Sequence, residues 1–386
     1  MSNRLHDSDL LRRLVAFDSV SASGTAAIAS FVAAYLDEPG LNVRLVPYAD
    51  GSQVNVIAWR GELREDRAGL VLSGHLDVVP AAASRWATHP FELTEHGDRL
   101  YGRGSTDMKG FIAVAMNLLR DADDVPFPLM LMLTAEEEVG ALGARHFANN
   151  WPLDVLPPRA AIIGEPTTLN IVSMHKGHLK IRINVAGESA HSGTPQYGDN
   201  AIERASTILS GLVHLRESMS KERAATSEVF PETPFPVMNI GRIHGGSAIN
   251  IVPDACAIEI GIRPLPGQAS APFIERVQGV IDAVDHGDRV TMEIINDNPA
   301  LAPAVDGRIE AALRSMSDDD VVRGVSFASD GGYLQQGLGM DCVLCGPGDM
   351  QRAHRPDEYI THDELAKARD LLTSLLSVWS KEGAPA

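Results

Sequence analysis

Cysteine is scarce in this chain. Cys256, Cys342 and Cys345 are the three among 386 residues. An odd count so thinly spread excludes a disulfide framework and predicts a reducing, cytoplasmic setting. Cys342 and Cys345 form a lone C-x-x-C inside DCVLCGPG, which reads better as two small thiols buried in an apolar strand than as a metal or redox pair. Positive charge is also in deficit: 33 lysines and arginines face 51 aspartates and glutamates, for a formal net charge of −18. That balance argues against nucleic acid or an anionic membrane as a general partner. No stretch approaches the roughly 20 apolar residues that a membrane span requires. The opening MSNRLHDSDLLRRLVAFDSV carries acids and reads as an amphipathic helix, not a signal peptide. Repeats and low-complexity segments are missing too.

What is present is an ordinary globular composition, 44% hydrophobic and 22% charged, in a chain longer than single cores usually grow. Two domains are expected. Apolar residues recur at helical spacing over residues 8–37. Short β-like runs follow at LNVRLVPY, NVIAWRG and AGLVLSGH. GFIAVAMNLLRDA then reads as helix, FPLMLMLTA as buried strand, GARHFANNW as helix and RAAIIGEP as buried strand. Strands that are apolar on both faces and alternate with helices predict an α/β fold with a mostly parallel central sheet flanked by helices.

After about residue 177 the texture changes. HLKIRINVAGESAHS alternates as a half-buried strand, AIERASTILSGLVHLRESM is an amphipathic helix, and CAIEIGIRPLPG alternates again. RVQGVIDAVD is helical and DRVTMEIIND is a strand. The order β-α-β-β-α-β predicts a smaller α+β domain with an antiparallel sheet and two helices. From about residue 300 the buried-strand texture returns, so the second domain is inserted into the first. The expected boundaries are 1–177 with 293–386, and 178–292. The polar run SKERAATSEVFPETPFP, 220–236, reads as a mobile connection.

Several acids and histidines sit at expected strand ends. His75 and Asp77 close VLSGHLD, and residues two apart share a face of an extended chain. By itself His-x-Asp is an ordinary polar strand end. Asp107 lies in the glycine-rich YGRGSTDMKG just before a helix, where an aspartate also serves as a cap. Glu136, Glu137 and Glu138 follow LMLMLTA, Glu165 follows AAIIG, and His354 follows CVLCGPG within AHRPDEYI. In open α/β sheets ligands bind beyond the carboxyl ends of the strands. Five segments aiming a histidine or carboxylate at one edge need a compensating cation, because like charges are costly to bury together. Two divalent ions would balance three carboxylates and a hydroxide. Oxygen and nitrogen donors without thiolate suit zinc, with cobalt or manganese as alternatives.

The blocks GHLDVVP, GRGSTDMKG, TAEEEVGALGAR, IIGEPT, HKGH, HSGTP, GGSAINIVPD, IRPLPG and AHRPDEYI occur in an order that resembles the dinuclear-zinc peptidase and aminoacylase family. That resemblance implies a two-metal amidohydrolase acting on a small N-acyl-amino acid, in which His75, Asp107 and Glu165 hold one ion and Asp107, Glu138 and His354 the other. Asp77 would orient the His75 ring, and Glu137 would be the acid/base. The family usually has Asp where Glu136 stands, so the register of the triple Glu rests on the downstream Gly143-Ala144-Arg145. The inserted domain resembles the family's lid and dimerisation domain, which implies a homodimer. There His191 would reach the partner's site and steady the oxyanion. Asn250 and Arg263 would take the substrate carboxylate, and Gly331 and Gly332 would offer backbone N–H groups to it. An acetyl group is the leading acyl group. A succinyl group is the runner-up and would need a further cation, for which Arg323, Arg352 and Arg355 are candidates. A dipeptidase or carboxypeptidase comes next, and a metal-bound protein without catalysis is the reading from another class.

Overall fold

The computed structural model describes residues 4–284, 287–317 and 321–381. It divides into two compact units. One runs to Ser173 and resumes at Pro303–Arg323 and from Ser329; the other comprises Met174–Ala302 and Gly324–Ala328.

The first unit is built on six strands: β1 (Leu41–Tyr48), β2 (Gln53–Arg60), β3 (Leu70–His75), β4 (Leu129–Thr134), β5 (Ala160–Pro166) and, after the inserted unit, β10 (Asp341–Gly346). Their order is β1-β2-β4-β3-β5-β10. The pairs β4–β3, β3–β5 and β5–β10 are parallel, whereas β1 and β2 are antiparallel additions at one edge. All four parallel strands are buried along their length, as expected when both faces are covered. The covering helices include α1 (Asp7–Val15), α2 (Ala26–Tyr35), α3 (Gly110–Asp121) and α4 (Leu142–Asn149), followed late in the chain by α7 (Gly331–Leu338) and α8 (His362–Lys381). The helical spacing over 8–37 therefore resolves into two helices, with Gly24 at φ 85° between them. Phe111, Ile112 and Ala115 of α3 join Leu70, Leu72, Leu131 and Ile162 in the core. Cys342 and Cys345 are both buried and free.

The inserted unit carries β6 (His178–Ala186), α5 (Ala201–Met219), β7 (Val237–Gly245), β8 (Ala255–Arg263), α6 (Ala271–Asp282) and β9 (Val290–Asn298). The strands pair antiparallel in the order β7-β8-β6-β9. Alternate residues Leu179, Ile181, Ile183 and Val185 pack with Ile208 and Leu212 of α5 and with Phe273 and Val277 of α6. β7 escapes a reading for alternation because its register shifts between Ile240 and Arg242 and its outer half is exposed. The helix expected over RVQGVIDAVD starts earlier and ends at Asp282; its expected last residue, Asp285, lies outside the described residues. The run 220–236 is more anchored than its composition suggests. Phe230 is buried, and the Lys176 ammonium donates to the Thr233 hydroxyl and to the Phe235 carbonyl, both at 2.9 Å. Among the described residues no helix is long and apolar enough to cross a membrane.

Candidate metal centre

Because β3, β4, β5 and β10 run parallel, their carboxyl ends share one edge of the sheet, and the acids and histidines that follow them converge there. His75 is the last residue of β3 and Glu165 the penultimate residue of β5. Asp107 sits in a one-turn segment, Ser105–Lys109, directly ahead of α3. Two triads result. Ligand atoms of His75, Asp107 and Glu165 all lie within 4.8 Å of one another, as do those of Asp107, Glu138 and His354. Asp107 belongs to both: His75 Nε2 is 3.1 Å from its Oδ1 and His354 Nε2 3.2 Å from its Oδ2. His354 also lies 3.1 Å from the Glu138 carboxylate.

The three glutamates after β4 part company. Glu136, at φ 57°, accepts a hydrogen bond from the Tyr48 hydroxyl at 3.0 Å. Glu138 turns into the second triad. Glu137 is half-buried between these two fates, and burial, then the negative charge of Glu165, raise its pKa well above the usual carboxylate range. The turn is held from below. Asn55 Oδ1 accepts from the Ala135 N–H at 2.9 Å while its amide donates to the Gly143 carbonyl at 2.9 Å.

Asp77 works differently from the expectation. The His75 ring donates from Nδ1 to the Asp77 main-chain carbonyl at 2.9 Å, whereas the Asp77 side chain stands 3.7 Å from that nitrogen. The carboxylate instead accepts from the backbone N–H groups of Glu137 (3.0 Å) and Glu138 (3.3 Å) and from the Ser21 hydroxyl (2.6 Å). With Nδ1 committed to that carbonyl, Nε2 is the nitrogen that faces the centre, where a bound metal would take its lone pair.

Other supports went unnoticed in the sequence. The buried carboxylate of Glu358 accepts from the N–H groups of Thr106 (2.9 Å) and Asp107 (3.1 Å) and pairs with the buried Arg103. It thereby fixes the segment that presents Asp107. The signal was present, since Glu358 lies in the same AHRPDEYI block as His354, but nothing in that block shows that its carboxylate reaches back 251 residues. Asp330 is buried near the centre, accepts from the Thr134 hydroxyl, and keeps Oδ1 without a partner; burial lifts its pKa to about 6.

The donor set fits divalent metal ions. It is all imidazole and carboxylate, with no thiolate. Burial, then Asp107, raise the pKa of Glu165 well above normal, and burial raises that of Glu138. Burial also opposes ionisation of Asp107, but the hydrogen bonds from His354 and His75 overcome it and hold its carboxyl low. Those same bonds to Asp107, then to Glu138, push His354 up to about 10. A cluster in which burial opposes the charge of several carboxylates is one that bound divalent cations would balance.

Gly331 and Gly332 open α7, both buried, and the Gly331 N–H already donates to the Ser329 hydroxyl at 3.1 Å. His191, Asn250 and Arg263 belong to the inserted unit. Within it, His191 is exposed, and its Nδ1 accepts from the Gly193 N–H at 3.0 Å, which puts its proton on Nε2. Asn250 neighbours it, its carbonyl taking the Ser192 N–H at 3.0 Å. Arg263 ends β8 and has no ion pair among the described residues; the burial of nearby His178, then the Arg263 charge, depress that imidazole's pKa to about 3.

The comparisons with known proteins agree with this geometry. The model of peptidase family M20/M25/M40 matches residues 71–378. The sequence is 34% identical over 384 residues to an acetylornithine deacetylase from Edwardsiella ictaluri, spanning 95% of this chain and 96% of that protein. It is 33% identical over 388 residues to another from Pectobacterium atrosepticum, with the same coverage. Among solved structures, the fold is similar to an M20 family metallo-carboxypeptidase, Sso-CP2 from Sulfolobus solfataricus, with TM-score 0.78, 19% identity, and 98% of this chain and 100% of that one covered. It is also similar to the Bacillus subtilis YXEP protein, described as a dinuclear metal binding peptidase, with TM-score 0.65, 16% identity, and 97% of each chain covered.

Proposed function

The chain belongs to peptidase family M20/M25/M40, and on that premise we propose that it is a two-metal amidohydrolase that removes the acetyl group from N2-acetyl-L-ornithine, yielding ornithine and acetate in arginine biosynthesis. The observation that carries this reading is the pair of triads sharing Asp107, with Glu137 beside them. We assign His75, Asp107 and Glu165 to one ion and Asp107, Glu138 and His354 to the other, with zinc first and cobalt or manganese as substitutes. When bound, such ions polarise an acyl oxygen and make a shared water acidic near neutral pH.

The chain's own residues do the rest. Glu137, beside both triads, accepts a proton from the attacking water and returns it to the leaving amine nitrogen. Asp77 holds the main chain of Glu137 and Glu138 so that base and ligand keep their separation. Glu358 does the same for Asp107. From the inserted unit we assign His191 of a second copy to the oxyanion, and Arg263 and Asn250 to the substrate carboxylate, with Gly332 and Gly331 contributing backbone dipoles. A homodimer through this unit accords with Ile249, fully exposed, and Ile243, 52% exposed, since bare apolar side chains of this size favour association. Three free, buried cysteines accord with a cytoplasmic enzyme.

Of the three arginines that could serve a succinyl carboxylate, Arg352 is already engaged, which supports the acetyl reading. Its guanidinium is occupied by both oxygens of Glu364, at 2.9 and 3.1 Å, and stacks on Tyr359, so it is not on offer to a second substrate carboxylate. Side-by-side turnover of N2-acetylornithine, N-succinyl-diaminopimelate, other N-acetyl amino acids and a dipeptide by the zinc- or cobalt-loaded protein tests the assignment. Preference for acetylornithine is expected. Preference for the succinyl compound or the dipeptide would move the chain to another branch, and silence on every substrate would leave a metal-bound protein without catalysis.

A further inference from the structure

The opposite edge of the main sheet, at the amino ends of β3, β5 and β10, carries a partly open cleft of about 40 Å³ lined by Arg67, Arg159, Arg308, Asp66, Asp341 and Trp379 among others. Its polar groups are lopsided. Asp66 accepts from the Ala68 N–H at 3.0 Å and from Arg64 at 2.5 Å. Asp341 takes Arg159 Nε at 2.9 Å and the Val305 N–H at 3.1 Å, and Asp306 takes Arg308. Each carboxylate at the cleft is thus engaged. Arg67 is not matched in this way: it donates to two carbonyls, of Pro157 at 2.9 Å and Gly339 at 3.4 Å, and makes no ion pair among the described residues. Its Nη2 is buried without a partner, and so is the indole N–H of Trp379, a side chain only 6% exposed.

We propose that this cleft is a binding site for a small monovalent anion, of which chloride is the type. Arg67 and Trp379 both line it and each keeps a buried side-chain N–H without a partner, one of them charged, while no buried side-chain acceptor of its lining lacks a partner among the described residues. Leaving such donors unmet is unfavourable. A water would accept from both donors but add no charge where Arg67 and Arg159 share the single nearby carboxylate of Asp341. A halide accepts from both and neutralises the Arg67 charge. The volume suffices, being more than the roughly 10–15 Å³ a single small guest needs. The bound anion would tie Arg67, the start of β5 and the C-terminal helix α8 together, behind the strands that carry His75 and Glu165.

The test uses the metal-loaded enzyme in sodium gluconate, with chloride replacing gluconate at constant ionic strength while thermal unfolding is followed. A saturable rise in the unfolding midpoint is expected; at ten times Kd the folded state gains about elevenfold. Trp379→Phe removes only the N–H and Arg67→Met only the charged head, and both should lose the chloride-dependent rise while retaining metal and turnover. Bromide-soaked crystals should show anomalous signal between Arg67 Nη2 and Trp379 Nε1. A chloride response undiminished in both variants, or density there that is water with no bromide signal, overturns the proposal. If Arg67→Met does not fold, Trp379→Phe and the bromide signal decide.

Discussion

The Asp77 carboxylate lies 3.0 Å from the backbone nitrogen of Glu137, so the residue two positions after His75 braces the main chain of the proposed base. Asp77→Asn keeps the shape but loses the charge and one acceptor, leaving the Ser21 hydroxyl and two N–H groups competing for a single carbonyl oxygen. A fall in kcat of roughly 10–100-fold is expected, with KM less affected. Kinetics with N2-acetylornithine check this, and an unchanged kcat would show that the brace is dispensable.

Glu137→Gln should retain two bound metals per chain and lose at least roughly 10²–10⁴ in kcat, the usual contribution of a positioned acid/base. Metal analysis alongside turnover separates this from damage to the centre. Substantial residual activity would mean that another group moves the proton.

Metal binding should release protons and strengthen as pH rises. His354 is pushed up to about 10, so at neutral pH it must shed a proton before coordinating, and burial shifts Glu165 and Glu138 in the same sense. Raising the pH empties these sites in advance and favours the metal. Zinc titration calorimetry in two buffers of different ionisation enthalpy counts the protons. Zero release contradicts the assignment of these residues.

Buried His175 gives the inserted unit an acid sensitivity of its own. Burial lowers its pKa to about 4, against roughly 6.5 in the unfolded chain. As pH falls below 6.5 the unfolded state takes up the proton first, so stability is complete above that pH and declines until about pH 4, by up to about 3 kcal/mol. Urea unfolding of chelated protein across this window should show His175→Gln with a shallower loss than the parent. Parallel curves would place the sensitivity elsewhere.

Gly164→Ala should destabilise by about 1–3 kcal/mol. A Cβ at Gly164 would stand 2.0 Å from the Phe111 ring, one residue before Glu165, so α3 or β5 must give way. Phe111→Leu in the same chain should recover part of the loss, which unfolding midpoints will report. Independent, additive losses would refute the contact.

Much of this was legible in order along the chain. Runs apolar on both faces can only be covered strands, so β3, β4, β5 and β10 declared a parallel sheet, and the parallel sheet declared which edge would gather His75, Asp107, Glu165 and His354. Period-two alternation did the same for β6 and β8 of the inserted unit. β7 is the strand that the β-α-β-β-α-β order requires but no run of residues marks, because a shifted register and an exposed outer half erase the alternation on which such a reading depends.

The sequence by itself determined which chemistry is possible, because residue type sets charge, donor atoms and strand periodicity, all of which are local. Tertiary structure decided how identical groups divide the work. Three consecutive glutamates have the same chemistry, and only packing against Tyr48, Asp77 and His354 sends Glu136 outward, leaves Glu137 half-buried and turns Glu138 toward Asp107. Glu358 on Asp107, and the Asp77 carboxylate on the glutamate turn in place of the His75 ring, are decisions of the same kind. Each depends on hydrogen bonds between segments tens to hundreds of residues apart, whose partners no local pattern can specify.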